Sequence, residues 1–122
     1  FMNVFNVHVN RVPVNCKVIE QFYNQGRFFN ASLDKASLEN EQSGLLLETS
    51  SGMKILCVQI AGLVARRIVS YPENGDNLER GCRYGLIRFG SRVDLYFPEG
   101  VDVSARLGDK TVAGESVLGY LK

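Results

Sequence analysis

The chain has one imidazole and one well-placed hydroxyl for acid–base or nucleophilic chemistry. His8 is the only histidine among the 122 residues, so any imidazole chemistry must use it. Ser91 follows Gly90 in the only Gly-Ser dipeptide of the chain. A serine hydroxyl becomes a nucleophile when a nearby base accepts its proton, and histidine is the side chain that most often does so. On the residues alone, His8 is the one candidate for imidazole chemistry, and the Gly90-Ser91 dipeptide gains meaning only from its setting between strands.

The elements that must position these two residues are strands. Short runs of Val, Ile, Phe and Tyr lie between glycines and turn residues, a pattern typical of strands. It predicts strands over residues 1–10, 16–23, 45–49, 54–60, 63–71, 84–89 and 92–97. The Gly90-Ser91 dipeptide thus lies between two strands. In the first strand, Asn6, His8 and Asn10 share one face, which we expect to lie away from the core.

Turns complete the predicted fold. Ser50-Ser51-Gly52 predicts a hairpin connection, and residues 33–42 form a short helix or an ordered loop. The segment Gly75–Gly81 is echoed by Gly108–Gly114, each with Gly-Asp first and Gly six residues later, which predicts turns with positive φ. We therefore expect residues 1–122 to form a single, mainly β domain. It would be a small two-sheet β-sandwich, barrel-sandwich-like, with at most one short helix.

Charge and hydropathy exclude several classes of protein. Lys and Arg total 14, and Asp and Glu total 13, so the net charge is +1 and argues against a nucleic-acid binder. The longest mostly apolar stretch, residues 55–65, is interrupted by Gln59 and Gly62 and falls short of the roughly 20 residues of a membrane-spanning helix. The sequence therefore predicts neither a transmembrane segment nor a signal peptide.

The three cysteines are Cys16, Cys57 and Cys82, and no two of them form a metal-type pair. An odd count without such spacing predicts a reducing compartment and simple burial. Cys57 lies in an apolar run and is expected to act as a small buried hydrophobic side chain. With one histidine and no clustered thiols, we expect no metal site.

Four blocks in order resemble the short-form phosphatidylserine decarboxylase proenzymes over nearly the whole chain. They are Phe1–Arg11 (FMNVFNVHVNR), Asp34–Glu41 (DKASLENE), Val58–Arg67 (VQIAGLVARR) and the Phe89-Gly90-Ser91 segment. Two positions depart from the family pattern. Gln42 stands where members generally carry Arg after the Asn-Glu pair, and Ser91 is followed by Arg92 where the long form has Thr.

The resemblance implies a pyruvoyl-dependent carboxy-lyase that converts phosphatidylserine to phosphatidylethanolamine and CO2 in phospholipid biosynthesis. Self-cleavage at Gly90-Ser91 would leave residues 1–90 in the β chain and residues 91–122 in the α chain. The covalent pyruvoyl cofactor would derive from Ser91. His8 matches the family's essential histidine, which assists self-cleavage and acts as an acid during turnover.

Substrate contacts are expected from arginine, because a guanidinium suits phosphate oxygens. Arg11 and Arg66 are the candidates for the phosphodiester, with Arg67, Arg88 and Arg92 as further possibilities. The expected partners are phosphatidylserine at a membrane surface, the α and β chains of one proenzyme, and a second copy in a homo-oligomer. The resemblance implies that the protein acts at the cytoplasmic face of the cell membrane.

The chain begins at Phe1 inside a strand pattern, so we expect it to be a fragment of a longer proenzyme. Family members carry an anchoring segment and a Ser-Pro-Ala-Asp-Gly-type motif before this point, and its aspartate is the expected partner of the histidine. A triad base without its orienting carboxylate can lose orders of magnitude in rate. We therefore expect residues 1–122 alone neither to cleave themselves nor to decarboxylate lipid.

Two alternatives stay open on the residues alone. Asp34-Lys35-Ala36 resembles a lipoylation tripeptide, so the chain could be a lipoyl- or biotinyl-type carrier domain modified at Lys35. The residues after Lys35 are not strand-like, whereas a carrier lysine sits at the tip of a tight hairpin. The second alternative is a non-catalytic β-sandwich interaction module in which Gly90-Ser91 is an ordinary turn.

Overall fold

The computed structural model describes residues 2, 9–27, 31, 39–62, 68–87 and 91–121, and strands dominate their regular structure. The strands in these ranges are β1 (Val9–Arg11), β2 (Cys16–Asn24), β3 (Gln42–Glu48), β4 (Lys54–Ile60), β5 (Ile68–Ser70), β6 (Asn77–Leu78), β7 (Arg83–Ile87), β8 (Arg92–Tyr96), β9 (Asp102–Val103) and β10 (Gly119–Tyr120). The prediction of a mainly β fold is confirmed.

The strands form two larger antiparallel sheets and one small one. The five-stranded sheet has the order β6-β2-β3-β4-β8 and curls on itself, and the three-stranded sheet has the order β1-β7-β5. The third sheet, formed by β9 and β10, was not predicted, because each of these strands has two residues and two residues carry no alternation.

The main core lies against the five-stranded sheet. Leu47 on β3 is directly opposite Ile55 on β4, and Leu45 is opposite Cys57, and all four side chains are buried. Alternate residues of a strand share a face, so the two neighbouring strands bury their apolar sets together. Tyr84 of the three-stranded sheet packs into the same cluster, which joins the two sheets.

The predicted hairpin connects β3 to β4. The amide of Thr49 donates to the carbonyl of Met53 at 2.9 Å, and the amide of Met53 donates to Thr49 Oγ1 at 3.1 Å. Gly52 has a φ of 85°, a conformation that glycine adopts without the steric cost of a Cβ. The Ser50-Ser51-Gly52 turn is thereby confirmed.

The two Gly-Asp segments adopt the same local structure. The amide of Glu73 donates to Asp76 Oδ2, and the amide of Arg106 donates to Asp109 Oδ2, both at 2.9 Å. The four glycines of the repeat all have positive φ, as predicted: Gly75, Gly81, Gly108 and Gly114. The aspartate closes each turn with its own side chain, a role for which Asp is well suited.

The two larger sheets also meet through polar groups. Gln59 Nε2 on β4 donates to Asn10 Oδ1 on β1 at 2.8 Å and to the carbonyl of Val69 on β5 at 3.2 Å. Gly85 on β7 lies between these partners, and a Cβ built on it would be 2.2 Å from Val69 O and 2.8 Å from Gln59 Nε2. The absence of a side chain at Gly85 therefore allows the two sheets to approach.

Three sequence-based predictions are corrected. Asn10 does not face away from the core, since it is 9% exposed and its amide is bonded to Gln59. Cys82 is exposed rather than buried, because it lies in the turn that precedes β7. The predicted helix or loop over 33–42 cannot extend to Gln42, which begins β3; residues 32–38 lie outside the described part of the chain.

Gly85→Ala is expected to destabilise the fold. The added methyl group would lie 2.2 Å from a backbone carbonyl oxygen and 2.8 Å from a buried amide nitrogen, and overpacking of this kind costs about 1–3 kcal/mol. Thermal unfolding measures the loss. Gly100→Ala is the control, because a Cβ there meets nothing within 4 Å and only its φ of 86° opposes the substitution. An unchanged Tm for Gly85→Ala would contradict the close approach of the sheets.

The buried cysteines predict a loss of stability at alkaline pH. Burial raises the pKa of Cys16 to about 11 and that of Cys57 to about 12, from an ordinary value of 9.0. The unfolded chain therefore ionises these thiols first, and the free energy of unfolding falls as the pH rises above about 9. Thermal unfolding between pH 8 and pH 11 checks this.

At pH 8, iodoacetamide should modify Cys82 well before the other two cysteines, and equal rates would contradict the burial of Cys16 and Cys57.

Candidate functional site

Ser91 lies immediately before β8 and is fully buried, with 0% exposure. Its carbonyl accepts a hydrogen bond from the amide of Met2 at 2.9 Å, and the two residues form an antiparallel bridge. One residue later, Arg92 on β8 pairs with Ile60 on β4. Backbone interactions therefore fix the serine from two sides.

An apolar cluster is linked to Ser91 through Met2. Ala61 and Ile87 form a fully buried cluster, against which Met2 and Ile68 pack. Met2 connects this cluster to Ser91 through their backbone bridge. Because Ser91 is fully buried, it is shielded from bulk water, and electrostatic interactions around it are strengthened.

Arg92 anchors the strand that follows the serine. Its Nε lies 2.8 Å from Asp94 Oδ1, and its Nη2 donates to Asp94 Oδ2 at 3.2 Å. Its Nη1 donates to the carbonyl of Ala31 at 2.8 Å. The side chain is 17% exposed, so this ion pair is partly shielded from solvent. The guanidinium therefore holds the beginning of β8 in place.

Arg11 connects the two Gly-Asp turns. Its Nη1 donates to the carbonyl of Gly81 at 2.7 Å. A Cβ built on Gly114, in the second turn, would lie 2.7 Å from Arg11 Cδ, so the aliphatic part of the side chain packs against that glycine. The assignment of Arg11 to substrate binding stays a prediction.

Several predicted site residues lie outside the described part of the chain. They are His8, Gly90, Lys35, Arg66, Arg67 and Arg88. The described residues that flank the histidine are both paired: Met2 with Ser91, and Val9 with Leu86 on β7. The segment that contains His8 is thus bounded at both ends by pairing with residues 86–91.

Sequence reasoning missed two buried polar residues, Gln59 and Asn40. Gln59 is 1% exposed, and Asn40 is buried with its Nδ2 donating to the carbonyl of Ala61 at 2.7 Å. The signal for Gln59 was present, since it interrupts the longest apolar run of the chain. A polar side chain in a buried strand requires a hydrogen-bond partner, and that partner, Asn10, is distant in sequence.

A cavity of about 680 Å³ lies between β1, β8 and the C-terminal segment. Asn10, Arg11, Tyr84, Leu95 and Phe97 are among its lining residues, whereas Ser91 is not. Burial raises the pKa of the Tyr84 phenol, and its hydroxyl has no hydrogen-bond partner within the described ranges. Most of the residues that line the cavity are apolar, and a few, such as Asn10 and Arg11, are polar or charged.

Two further searches cover the same described residues. They contain no group of three or more His, Cys, Asp and Glu side chains that could hold a metal ion. They also contain no helix that is long and apolar enough to cross a membrane.

The fold and the site define a class of protein: a small, mainly β domain with a buried serine directly before a strand. The profile of the family described as phosphatidylserine decarboxylase matches residues 1–119. The chain therefore belongs to the phosphatidylserine decarboxylase family, and the resemblance noted in the sequence is confirmed.

The relatives agree with this assignment. The phosphatidylserine decarboxylase proenzyme of Syntrophotalea carbinolica is 64% identical over 122 residues, which are all of this chain and 57% of the relative. The proenzymes of Geotalea uraniireducens and Geobacter metallireducens are 59% and 60% identical over 121 residues, or 99% of this chain and 57% and 56% of theirs. The chain thus spans little more than half the length of these relatives. No solved structure matches it.

Proposed function

We propose that this chain carries the self-cleavage site of a pyruvoyl-dependent phosphatidylserine decarboxylase. The observation that carries the proposal is the burial of Ser91 at the beginning of β8, with its carbonyl bonded to Met2, in a chain of this family. Residues 1–90 would form part of the β chain and residues 91–122 would lie in the α chain. The reaction would release CO2 from phosphatidylserine and leave phosphatidylethanolamine.

Self-cleavage begins with the Ser91 hydroxyl. His8 accepts the hydroxyl proton while Ser91 Oγ bonds to the carbonyl carbon of Gly90, and the C–N bond between the two residues breaks. The nitrogen of Ser91 takes up a proton and becomes a free amine, so the peptide bond is replaced by an ester. Glycine at position 90 favours this step, because it has no Cβ to obstruct the attack.

The ester is then lost by elimination. A base removes the proton on Ser91 Cα, the bond between Cβ and the ester oxygen breaks, and the upstream piece leaves with a carboxylate. Water adds to the resulting dehydroalanine and releases ammonia, which leaves a pyruvoyl group on Arg92. Burial of Ser91 favours this course, because water would otherwise hydrolyse the ester and regenerate serine.

The residues around Ser91 fit a pyruvoyl group in that position. It would remain covalently attached to Arg92, whose side chain is held by Asp94 and by the carbonyl of Ala31. The group supplies an electrophilic carbonyl that accepts the electrons released when CO2 leaves. Ser91 is fully buried, which keeps this position poor in water. His8 would return a proton to the substrate after decarboxylation.

The two chains would stay together after the cut. β8 belongs to the downstream piece and β4 to the upstream piece, and these strands pair over five residues, from Leu56↔Tyr96 to Ile60↔Arg92. These backbone bonds and the shared core do not depend on the bond between Gly90 and Ser91. The proposed α and β chains are therefore partners within one folded unit.

The remaining parts of the proposal concern the substrate. Phosphatidylserine would be taken from a membrane surface, which is expected to be the cytoplasmic face of the cell membrane. Arg11 and Arg66 are the proposed contacts to its phosphodiester, since guanidinium groups bind phosphate oxygens in a bidentate manner. A homo-oligomer remains part of the proposal.

Ser91→Ala is expected to abolish self-cleavage. The test uses a hybrid in which these 122 residues replace the matching segment of the Syntrophotalea carbinolica proenzyme, with the unmodified relative as the positive control. The unsubstituted hybrid should give two pieces on a gel. The downstream piece should carry a pyruvoyl terminus by mass spectrometry and should become attached to phosphatidylserine on borohydride reduction. Ser91→Ala should leave one uncut chain, since it has no hydroxyl to attack. Attachment of lipid to the upstream piece would contradict the proposal.

His8→Ala is expected to slow self-cleavage of the same hybrid by about 10²- to 10⁴-fold, the usual contribution of a general base. The first-order rate is followed on gels, and Tm is measured in parallel to identify a misfolded variant. Added imidazole should restore part of the rate if the missing group is a base. A His8→Ala variant that cleaves at the unsubstituted rate would remove His8 from the mechanism.

A further inference from the structure

Gln59 carries a buried side-chain amide. It is 1% exposed and lies on β4 between Val58 and Ile60, which are also buried. Its Oε1 has no hydrogen-bond partner within the described ranges, and an unpaired buried acceptor lowers stability. An apolar side chain of similar size would avoid this cost. The amide therefore contributes through the two hydrogen bonds that its nitrogen donates.

The orientations of the two amides follow from one backbone group. The carbonyl of Val69 can only accept, so the atom of Gln59 that faces it at 3.2 Å must be the donating nitrogen. The same nitrogen lies 2.8 Å from Asn10, which must present its oxygen. The nitrogen of Asn10 is then directed to Met2 Sδ, at 3.6 Å. The polar contacts thus have one consistent arrangement.

This arrangement ends at the serine. Met2, which accepts from Asn10, donates its own amide to the carbonyl of Ser91 at 2.9 Å. Asn10 is also paired with Gly85 on β7. A continuous series of contacts therefore runs from Gln59 through Asn10 and Met2 to Ser91, and it links both ends of the segment that contains His8.

We infer that Gln59 and Asn10 are positioning residues for self-cleavage: through Met2 they hold the backbone of Ser91, the proposed nucleophile, in place. This inference rests on the proposed function. His8 lies two positions before Asn10 in the chain. Proton transfer needs heavy atoms about 2.6–3.2 Å apart, and a displacement of about 1 Å can cost about 10²-fold in rate. In this role both residues act through Met2.

The test measures self-cleavage of the hybrid proenzyme described above at 25 °C, where the unsubstituted protein is folded. The variants are Asn10→Ala, Gln59→Leu and the double substitution. Val58→Ala is the matched control, because Val58 is also buried on the same strand but points to the opposite face of the sheet. Tm is recorded for every variant.

Each single substitution should lower the first-order cleavage rate by about 10- to 100-fold. The double substitution should be no slower than the slower single one, because the two residues act through one contact. Val58→Ala should lower Tm with no change in rate. A purely structural role for Gln59 and Asn10 predicts instead that all variants behave like Val58→Ala.

Gln59→Glu provides a second measurement, the pH dependence of the cleavage rate, which a change in stability alone would not affect. A protonated carboxyl group at this position can donate to Asn10 Oδ1, as the amide does, whereas the carboxylate cannot. Burial raises the pKa of such a carboxyl group. The cleavage rate of this variant, divided by the unsubstituted rate at the same pH, should therefore rise as the pH falls. A ratio that does not change with pH would contradict the inference.

The outcomes distinguish this inference from the proposed function. Rates of the Asn10 and Gln59 variants that equal the unsubstituted rate, or that change only as Val58→Ala does, overturn the inference and leave the proposed function standing. An unsubstituted hybrid that does not cleave, beside a relative that does, overturns the proposed function and this inference with it.

Discussion

The close approach of three chain segments at Gly85 is the constraint on which the rest of the structure depends. The carbonyl of Val69 and the amide of Gln59 occupy the space that a side chain at Gly85 would need. This space lets an amide of the five-stranded sheet reach β1 in the other sheet. Within the described part of the chain β1 comprises Val9–Arg11, and a one-residue slip would turn each of these side chains to the opposite face. The amide contact therefore helps to fix the register of these residues.

Burial of Ser91 and its proposed self-cleavage are compatible because the two sides of the cut are anchored separately. The downstream side is held by the pairing of β8 with β4 and by the ion pair of Arg92 with Asp94. The bridge between Met2 and Ser91 uses the carbonyl of Ser91, which the proposed cut leaves intact. The register shift between Asn10 and Arg11 lies on β1, and such irregularities are common beside active sites.

Most of the fold could be predicted because its signals are local. The bounds of β4 and the positive φ of the glycines in the two Gly-Asp turns were correct as predicted, since each depends on a few consecutive residues. The short strands β6, β9 and β10 have two residues each and carry no such signal. In the candidate site, Ser91 could be singled out from the Phe-Gly-Ser segment and the flanking strands, and its role stays a prediction. The contact between Asn10 and Gln59 joins residues 49 positions apart, and no local pattern specifies it. The same separation explains why the polar face of β1 was expected to face solvent.

Arg11 and Arg92 are the two candidate phosphodiester contacts that lie within the described ranges, and they differ in how their charge is balanced. This difference bears on which of them is better suited to a phosphodiester. Arg92 is paired with the carboxylate of Asp94, so its charge is already neutralised and its donors are largely engaged. The guanidinium of Arg11 donates to a neutral carbonyl, that of Gly81, and forms no ion pair within the described ranges. A guanidinium has five N–H donors, so one bond to a carbonyl leaves capacity for an anion. Arg11 also lines the large cavity, whereas Arg92 does not. An anionic headgroup would gain more from Arg11, because contact with Arg92 would first require the ion pair with Asp94 to break.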